Sequence, residues 1–129
     1  CLEGGLINKA LADFNRAVKI DPEHPDAYIS RGVVYKEKGF LDGALADFNR
    51  AIEIDSKNSD AYNNRGIVYG IKGIYDKAMA DFDRAIELNP ENKKAHENRI
   101  ITYRKISGSR LTEQDKYKNK DKVGYKLKL

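Results

Sequence analysis

Adjacent amides at Asn63 and Asn64 are the side chains best suited to chemistry in this sequence, and the chemistry is recognition. A carboxamide both donates and accepts hydrogen bonds, so two of them can serve the N–H and C=O groups of an extended peptide. Three arginines, Arg31, Arg65 and Arg99, recur every 34 residues. They form either a cationic stripe or a set of structural pairs, and Asp47 and Asp81, at the same spacing, favour pairs. His24 and His96 are isolated, with no cysteine cluster or paired histidine to complete a metal site. Asp81, Asp83 and Glu87 read as the solvated acidic face of a helix. The sequence has no phosphate-binding glycine loop and no nucleophile motif. No enzymatic activity, cofactor or metal is therefore expected.

Composition points the same way. The chain has 129 residues, 40% hydrophobic and 34% charged, which fits a helical protein without a membrane span. Cys1 is the sole cysteine, so no intrachain disulfide supports the fold. The net charge of +4 conceals an asymmetry. Residues 1–92 carry 12 Lys plus Arg against 16 Asp plus Glu, whereas residues 93–129 carry 12 against 4. An overall pI near 9.1 thus describes neither part, and does not by itself argue for nucleic-acid binding.

Positioning the candidate residues falls to a repeat. Residues 25–58 and 59–92 align without a gap, with 19 of 34 positions identical. A fixed period of this size is the mark of stacked helical units, in which each repeat buries its apolar face against the next. Helices are predicted over 27–38 and 42–54, and again over 61–72 and 76–88, each pair joined at Gly39 or Gly73. Glycine there suits a left-handed helix terminus, and Asp42 is the expected cap of the following helix. Gly32 and Gly66 sit inside helices at a cost of roughly 0.5–1 kcal/mol relative to alanine, so their recurrence implies close approach of the partner helix. Ala44 and Ala78 are the small residues expected opposite them, with Phe48 and Phe82 filling the space between pairs.

The ends are incomplete copies. Residues 6–20 repeat the second half of the unit, ended by Asp21-Pro22, with Gly4 and Gly5 where an interhelical turn would fall. The chain opens without Met in half a repeat and reads as an excised piece. A third front helix is predicted from Lys94 to about Ile106, broken by Ser107-Gly108-Ser109. His96 takes the aromatic position and is expected to pack there. The division is therefore a remnant over 1–5, half a repeat over 6–24, full repeats over 25–58 and 59–92, a degenerate repeat with a capping helix over 93–117, and a basic disordered tail over 118–129.

The frame Tyr28, Gly32, Tyr35, Ala44, Phe48 and Ala51, with its copy Tyr62, Gly66, Tyr69, Ala78, Phe82 and Ala85, strongly resembles the tetratricopeptide repeat. Pro22 and Pro90 complete the pattern; Ser56 departs from it, and arginine replaces the usual leucine at Arg31, Arg65 and Arg99. The resemblance covers about residues 6–106 and implies an all-α, right-handed solenoid of antiparallel helix hairpins. It further implies a concave groove, lined by the front helices, that binds a peptide or partner protein. Projected onto this chain, the groove residues are Ile29, Ser30, Val33, Asn63, Asn64, Ile67, Ile71, Lys94, Asn98 and Ile101, with Asp26, Glu37, Asp60, Glu97 and Lys105 in the same rows. Gly70 lacks the long side chain of Lys36 and is expected to open a depression there.

One branch of that family resembles a clamp for terminal carboxylates, built from Lys and Asn, then Asn, then Lys and Arg. Asn64 and Lys94 match it, while Ile29, Val33 and Asn98 do not. Two other partner classes follow from the residues. The unpartnered helix over 6–20 should leave Leu6, Ile7, Ala10 and Phe14 partly exposed, a surface for homotypic assembly through repeat ends. Lysines between Lys116 and Lys128 supply an electrostatic contact for nucleic acid or anionic membrane, and Leu127 and Leu129 a contact with the last repeat face. The expected setting is cytoplasmic.

Overall fold

The computed structural model describes residues 2–110, with side-chain surroundings for residues 5–108. Six helices follow in order: α1 (Leu2–Ile20), α2 (Pro25–Glu37), α3 (Leu41–Ile54), α4 (Ser59–Ile71), α5 (Tyr75–Leu88) and α6 (Lys93–Arg110). Helices α2 and α3 form one antiparallel hairpin, α4 and α5 the next. Helix α4 also packs on α2 and on α6, so the first helices of successive hairpins lie side by side. The result is an all-helical, right-handed solenoid.

Short polar and glycine turns set this geometry. Gly39 and Gly73 have φ of 83° and 79°, in the left-handed region. There the chain reverses, with Phe40 N–H donating to Tyr35 O and Ile74 N–H to Tyr69 O, both at 2.8 Å. This satisfies carbonyls at the helix end that have no intrahelical partner. The connections between hairpins use side chains instead. Asp21, Asp55 and Asn89 each accept from the backbone N–H two residues on. Asn58 and Asn92 then cap α4 and α6 by accepting from Ala61 and Ala95 N–H at 3.1 and 3.2 Å. His24, at the same phase, makes no such cap for α2.

Packing inside each hairpin depends on a missing side chain. A Cβ built on Gly32 would lie 2.6 Å from Phe48 Cε1, and one on Gly66 2.7 Å from Phe82 Cε1. The phenyl rings thus rest on bare helix backbone, and both are buried, as are Ala44, Ala51, Ala78 and Ala85. Burying one phenylalanine side chain contributes about 1.5–3 kcal/mol. Tyr28 is buried at the edge of this core, while Tyr35, Tyr62 and Tyr69 are half-buried.

Between the tyrosines lie the arginines that replace leucine. Arg31 sits 5.7 Å from the ring centres of both Tyr28 and Tyr35, and Arg65 at 5.4 and 5.9 Å from Tyr62 and Tyr69. Each guanidinium makes a two-pronged bond to the aspartate sixteen residues on: Arg31 to Asp47 at 2.8 and 2.7 Å, Arg65 to Asp81 at 2.9 and 2.7 Å. The third prong reaches back sixteen residues, to Asn15 and Asn49. One side chain therefore joins three consecutive helices. The hydrogen bond to the aspartate, and then its charge, hold both guanidiniums above their ordinary range despite opposing burial. Arg99 repeats only the backward reach, pairing with Asp83 at 2.6 Å.

Several expectations are corrected. Gly4 and Gly5 belong to α1, which runs from Leu2 without a turn. The helix does not end at Ser107-Gly108-Ser109 but continues to Arg110. Ser107 occupies the phase of Gly39 and Gly73, and without glycine there the left-handed reversal is disfavoured. Asp42 does not cap α3; its carboxylate accepts from Lys72 Nζ at 2.7 Å. That hydrogen bond, and then the lysine's charge, hold the Asp42 carboxyl below its usual range. His96 is exposed rather than packed, with Nε2 2.8 Å from Pro90 O, so that nitrogen carries the proton. The expected capping helix beyond Arg110 and the basic tail lie outside the described residues.

Candidate functional site

The face made by α2, α4 and α6 is closed at one seam and open at the other. Along the α2–α4 seam, Ile29 and Val33 pack against the buried cluster of Ala44, Phe48 and Val68; Ile29 also touches the cluster of Tyr28, Ala51 and Ala61. Both are among the residues the repeat resemblance places in the groove. They are half-buried and fill space between repeats, because side chains pointing toward the neighbouring front helix become part of the stack.

Asn63 is corrected for the same reason. It shares the phase of Ile29, and at 4% exposure it is buried against α6, accepting on Oδ1 from Asn98 Nδ2 at 3.1 Å. This amide pair is a seam between repeats, and a buried carboxamide with its partner in place is not free for a ligand. Asn64 is half-buried, as are Ser30 and Ile67, while Lys94 is exposed.

The α4–α6 seam holds a cavity of about 170 Å³, lined by Ile67, Gly70, Ile71, Tyr75, Phe82, Asn98, Ile101, Thr102 and Lys105. It brings together Ile67, Ile71, Asn98 and Ile101 of the assigned residues; Ile29, Ser30, Val33, Asn63, Asn64 and Lys94 do not line it. Ile71 and Ile101 are 57% and 49% exposed, a large apolar fraction for facing helices. A Cβ on Gly70 would meet nothing within 4 Å, so this glycine, unlike Gly66 one turn earlier, opens space.

Tyr75 and Thr102 were not legible as lining residues. Thr102 is 5% exposed and donates its hydroxyl to Asn98 O at 2.7 Å, so it lines the seam without an unmet donor. At the first seam the same phases are held by Leu41 and Val68, and Lys36 stands at the phase of Gly70. A buried polar chain also sets α6 in place. Asn92 Nδ2 donates to Ser59 Oγ, whose hydroxyl donates to Ala85 O, both at 2.8 Å, and this links α4, α5 and α6. The signal for it in the sequence is serine at 59 where the preceding copy has Pro25.

A polar-rimmed apolar depression on a row of parallel front helices can bind a side chain of another chain; it holds no acid–base or nucleophilic constellation. Among the described residues, no group of three or more His, Cys, Asp or Glu is placed to hold a metal ion. None of the described helices is long and apolar enough to cross a membrane. The molecule is thus a helical-repeat solenoid with an open depression on the face of its front helices.

Family comparison agrees with that class. A tetratricopeptide repeat model matches residues 59–92, and a related repeat model matches 1–39 and 34–73. The chain belongs to the tetratricopeptide repeat family. No curated protein matches it. Among solved structures it is similar to the OM64 repeat domain of Arabidopsis, at 31% identity and TM-score 0.72, covering 78% of this chain and 84% of that one. It shares its fold with the Sgt2 repeat domain of Aspergillus fumigatus, at 23% identity and TM-score 0.78, over 87% and 76% of the two chains. It also shares its fold with the second repeat domain of human RPAP3 in complex with an HSP70 peptide, at 24% identity and TM-score 0.72, over 79% and 85%.

Proposed function

We propose that this chain is a non-catalytic interaction scaffold that binds a peptide or partner protein along a concave groove formed by α2, α4 and α6. The observation that carries this is the cavity between α4 and α6, flanked by exposed Ile71 and Ile101. A solved domain of the same fold is in complex with an HSP70 peptide, which supports peptide binding as a use of such a fold. Within the groove the contacts proposed are Ser30, Asn64, Ile67, Ile71, Lys94, Asn98 and Ile101. Residues 25–58 and 59–92 act as its two full repeats. Ile29 and Val33 pack within the stack, which leaves Asn64 and Lys94 as an incomplete carboxylate clamp.

Capture from lysate with the intact chain and with a variant carrying Asn64→Ala and Ile67→Asp tests the assignment, with thermal melts verifying that both are folded. A partner retained by the first and lost by the second supports the groove. Equal recovery places the binding surface elsewhere. Leu6 is 68% exposed on α1, the observation behind a second reading, homotypic assembly through the repeat ends. Light scattering that finds a monomer at high concentration removes it. A cytoplasmic setting completes the proposal and suits a chain with a single cysteine; fractionation of cells expressing it is the check.

A further inference from the structure

The two seams of this face differ in charge as well as in filling. Helix α6 carries Lys93, Lys94, Arg99, Arg104, Lys105 and Arg110 against Glu97, whereas residues 1–92 are net acidic. Arg99 is committed to Asp83. Lys93, Lys94, Arg104 and Lys105 make no ion pair among the described residues, and Lys105 stands on the cavity wall. The other walls are mostly apolar: Ile67, Ile71, Phe82 and Ile101, with Asn98 and Tyr75 as the polar lining besides the internally bonded Thr102.

We propose that this cavity seats one branched aliphatic side chain from an internal acidic segment of a partner, with the segment's carboxylates lying against Lys105 and its neighbours on α6. This rests on the peptide-binding reading of the same face and names the chemistry of the ligand. The size fits a single side chain, since an apolar cavity on the order of 150 Å³ takes up one benzene molecule. Gly70 is the specificity determinant. It leaves open space where the preceding repeat carries Lys36, while Val33 and Leu41 pack over Phe48 at the first seam. The anchor lies toward the Lys105 end of the groove; Asn64 and Lys94, the clamp-like residues, do not line it, so no terminal carboxylate is needed. Residues 111–129 are a poor occupant by charge, since their lysines repeat the sign of α6.

The test uses the full chain, labelled with nitrogen-15, and synthetic peptides blocked at both termini. The first peptide has one leucine flanked on both sides by aspartate and glutamate; the second has alanine for leucine; the third keeps leucine between lysines. The first should shift the amide resonances of Gly70, Ile101 and Thr102 saturably, and bind at least about tenfold more tightly than the alanine peptide. Gly70→Lys, which restores the residue of the first seam and meets no neighbouring atom at Cβ, should weaken the first peptide by about tenfold or more with the fold intact. Lys105→Glu should reverse the preference between acidic and basic flanks.

Equal binding of the leucine and alanine peptides, or indifference to Gly70→Lys, overturns the proposal. So does a contact between the methyls of Leu127 or Leu129 and Ile101 in the free chain, which would make the tail the occupant. Shifts confined to Asn64 and Lys94 would remove the pocket and leave the groove reading standing. Absence of binding by any of the three peptides also overturns it, while the groove stands or falls separately on the capture experiment.

Discussion

Two junctions built from nearly the same 34 residues behave differently. Where α2 meets α4, Val33 and Leu41 close over Phe48 and Val68, and the surface is filled. Where α4 meets α6, Gly70 and Thr102 stand in place of Lys36 and Val68, and a cavity opens above Phe82. The arginine–aspartate seam beneath is the same in both hairpins. Repetition therefore fixes the frame, and function enters through the few positions at which one copy departs from the other. That division is what a modular fold permits, because each unit needs only its core and its contacts to neighbours.

The largest expected effect tests the shared seam. The Asp47 side chain is fully buried and receives both Arg31 and Arg50, so Asp47→Ala leaves two cations without their partner. Breaking such a pair should cost about 3–5 kcal/mol in urea denaturation. Asp81→Ala should cost somewhat less, because Asp81 is 6% exposed and Arg65 22%. A loss below about 1 kcal/mol for Asp47→Ala would show that the pair merely decorates a fold held by packing.

A smaller loss should follow Gly32→Ala, which pushes a methyl into Phe48. Overpacking of about 1–3 kcal/mol outweighs the roughly 0.5–1 kcal/mol that alanine gains in a helix, so the melting temperature should fall. An unchanged or raised melting temperature would contradict the close approach. Arg99→Ala should do least among the arginines. Its pair with Asp83 is half exposed on both sides, and such pairs contribute about 0–1 kcal/mol. A cost equal to that of Arg31→Ala would mean that Arg99 has a further partner.

Much of the frame was legible because period and chemistry coincide. Gly32 and Gly66 announced close helix contact, Gly39 and Gly73 announced left-handed turns, and Asp47 and Asp81 announced partners for the arginines. The misread positions share a cause: neighbouring residues on a helix point about 100° apart, so one faces solvent and the next a neighbour. Asn64 and Asn63 look alike in sequence, yet Asn63 turns into α6 and spends its amide on Asn98. The depression at Gly70 was visible as a lost side chain, but Tyr75 and Thr102 could be recognised as its walls only once α5 and α6 were in place. Ser107 misled through its neighbour: Gly108 looked like a helix breaker but falls one residue past the phase at which the reversal operates.

The comparison is tested most directly on one helix, by Gly66→Ala and Gly70→Ala measured side by side for thermodynamic stability. The two glycines are one turn apart on α4, Gly66 in its interior and Gly70 in its last turn, so alanine's gain from helix preference is at Gly70 no larger than at Gly66. Gly66→Ala should lower stability by about 1–2 kcal/mol, because its methyl meets Phe82, and Gly70→Ala should raise it by about 0.5–1 kcal/mol, because its methyl meets nothing. Changes of the same sign at both positions would contradict a closed seam beside an open cavity.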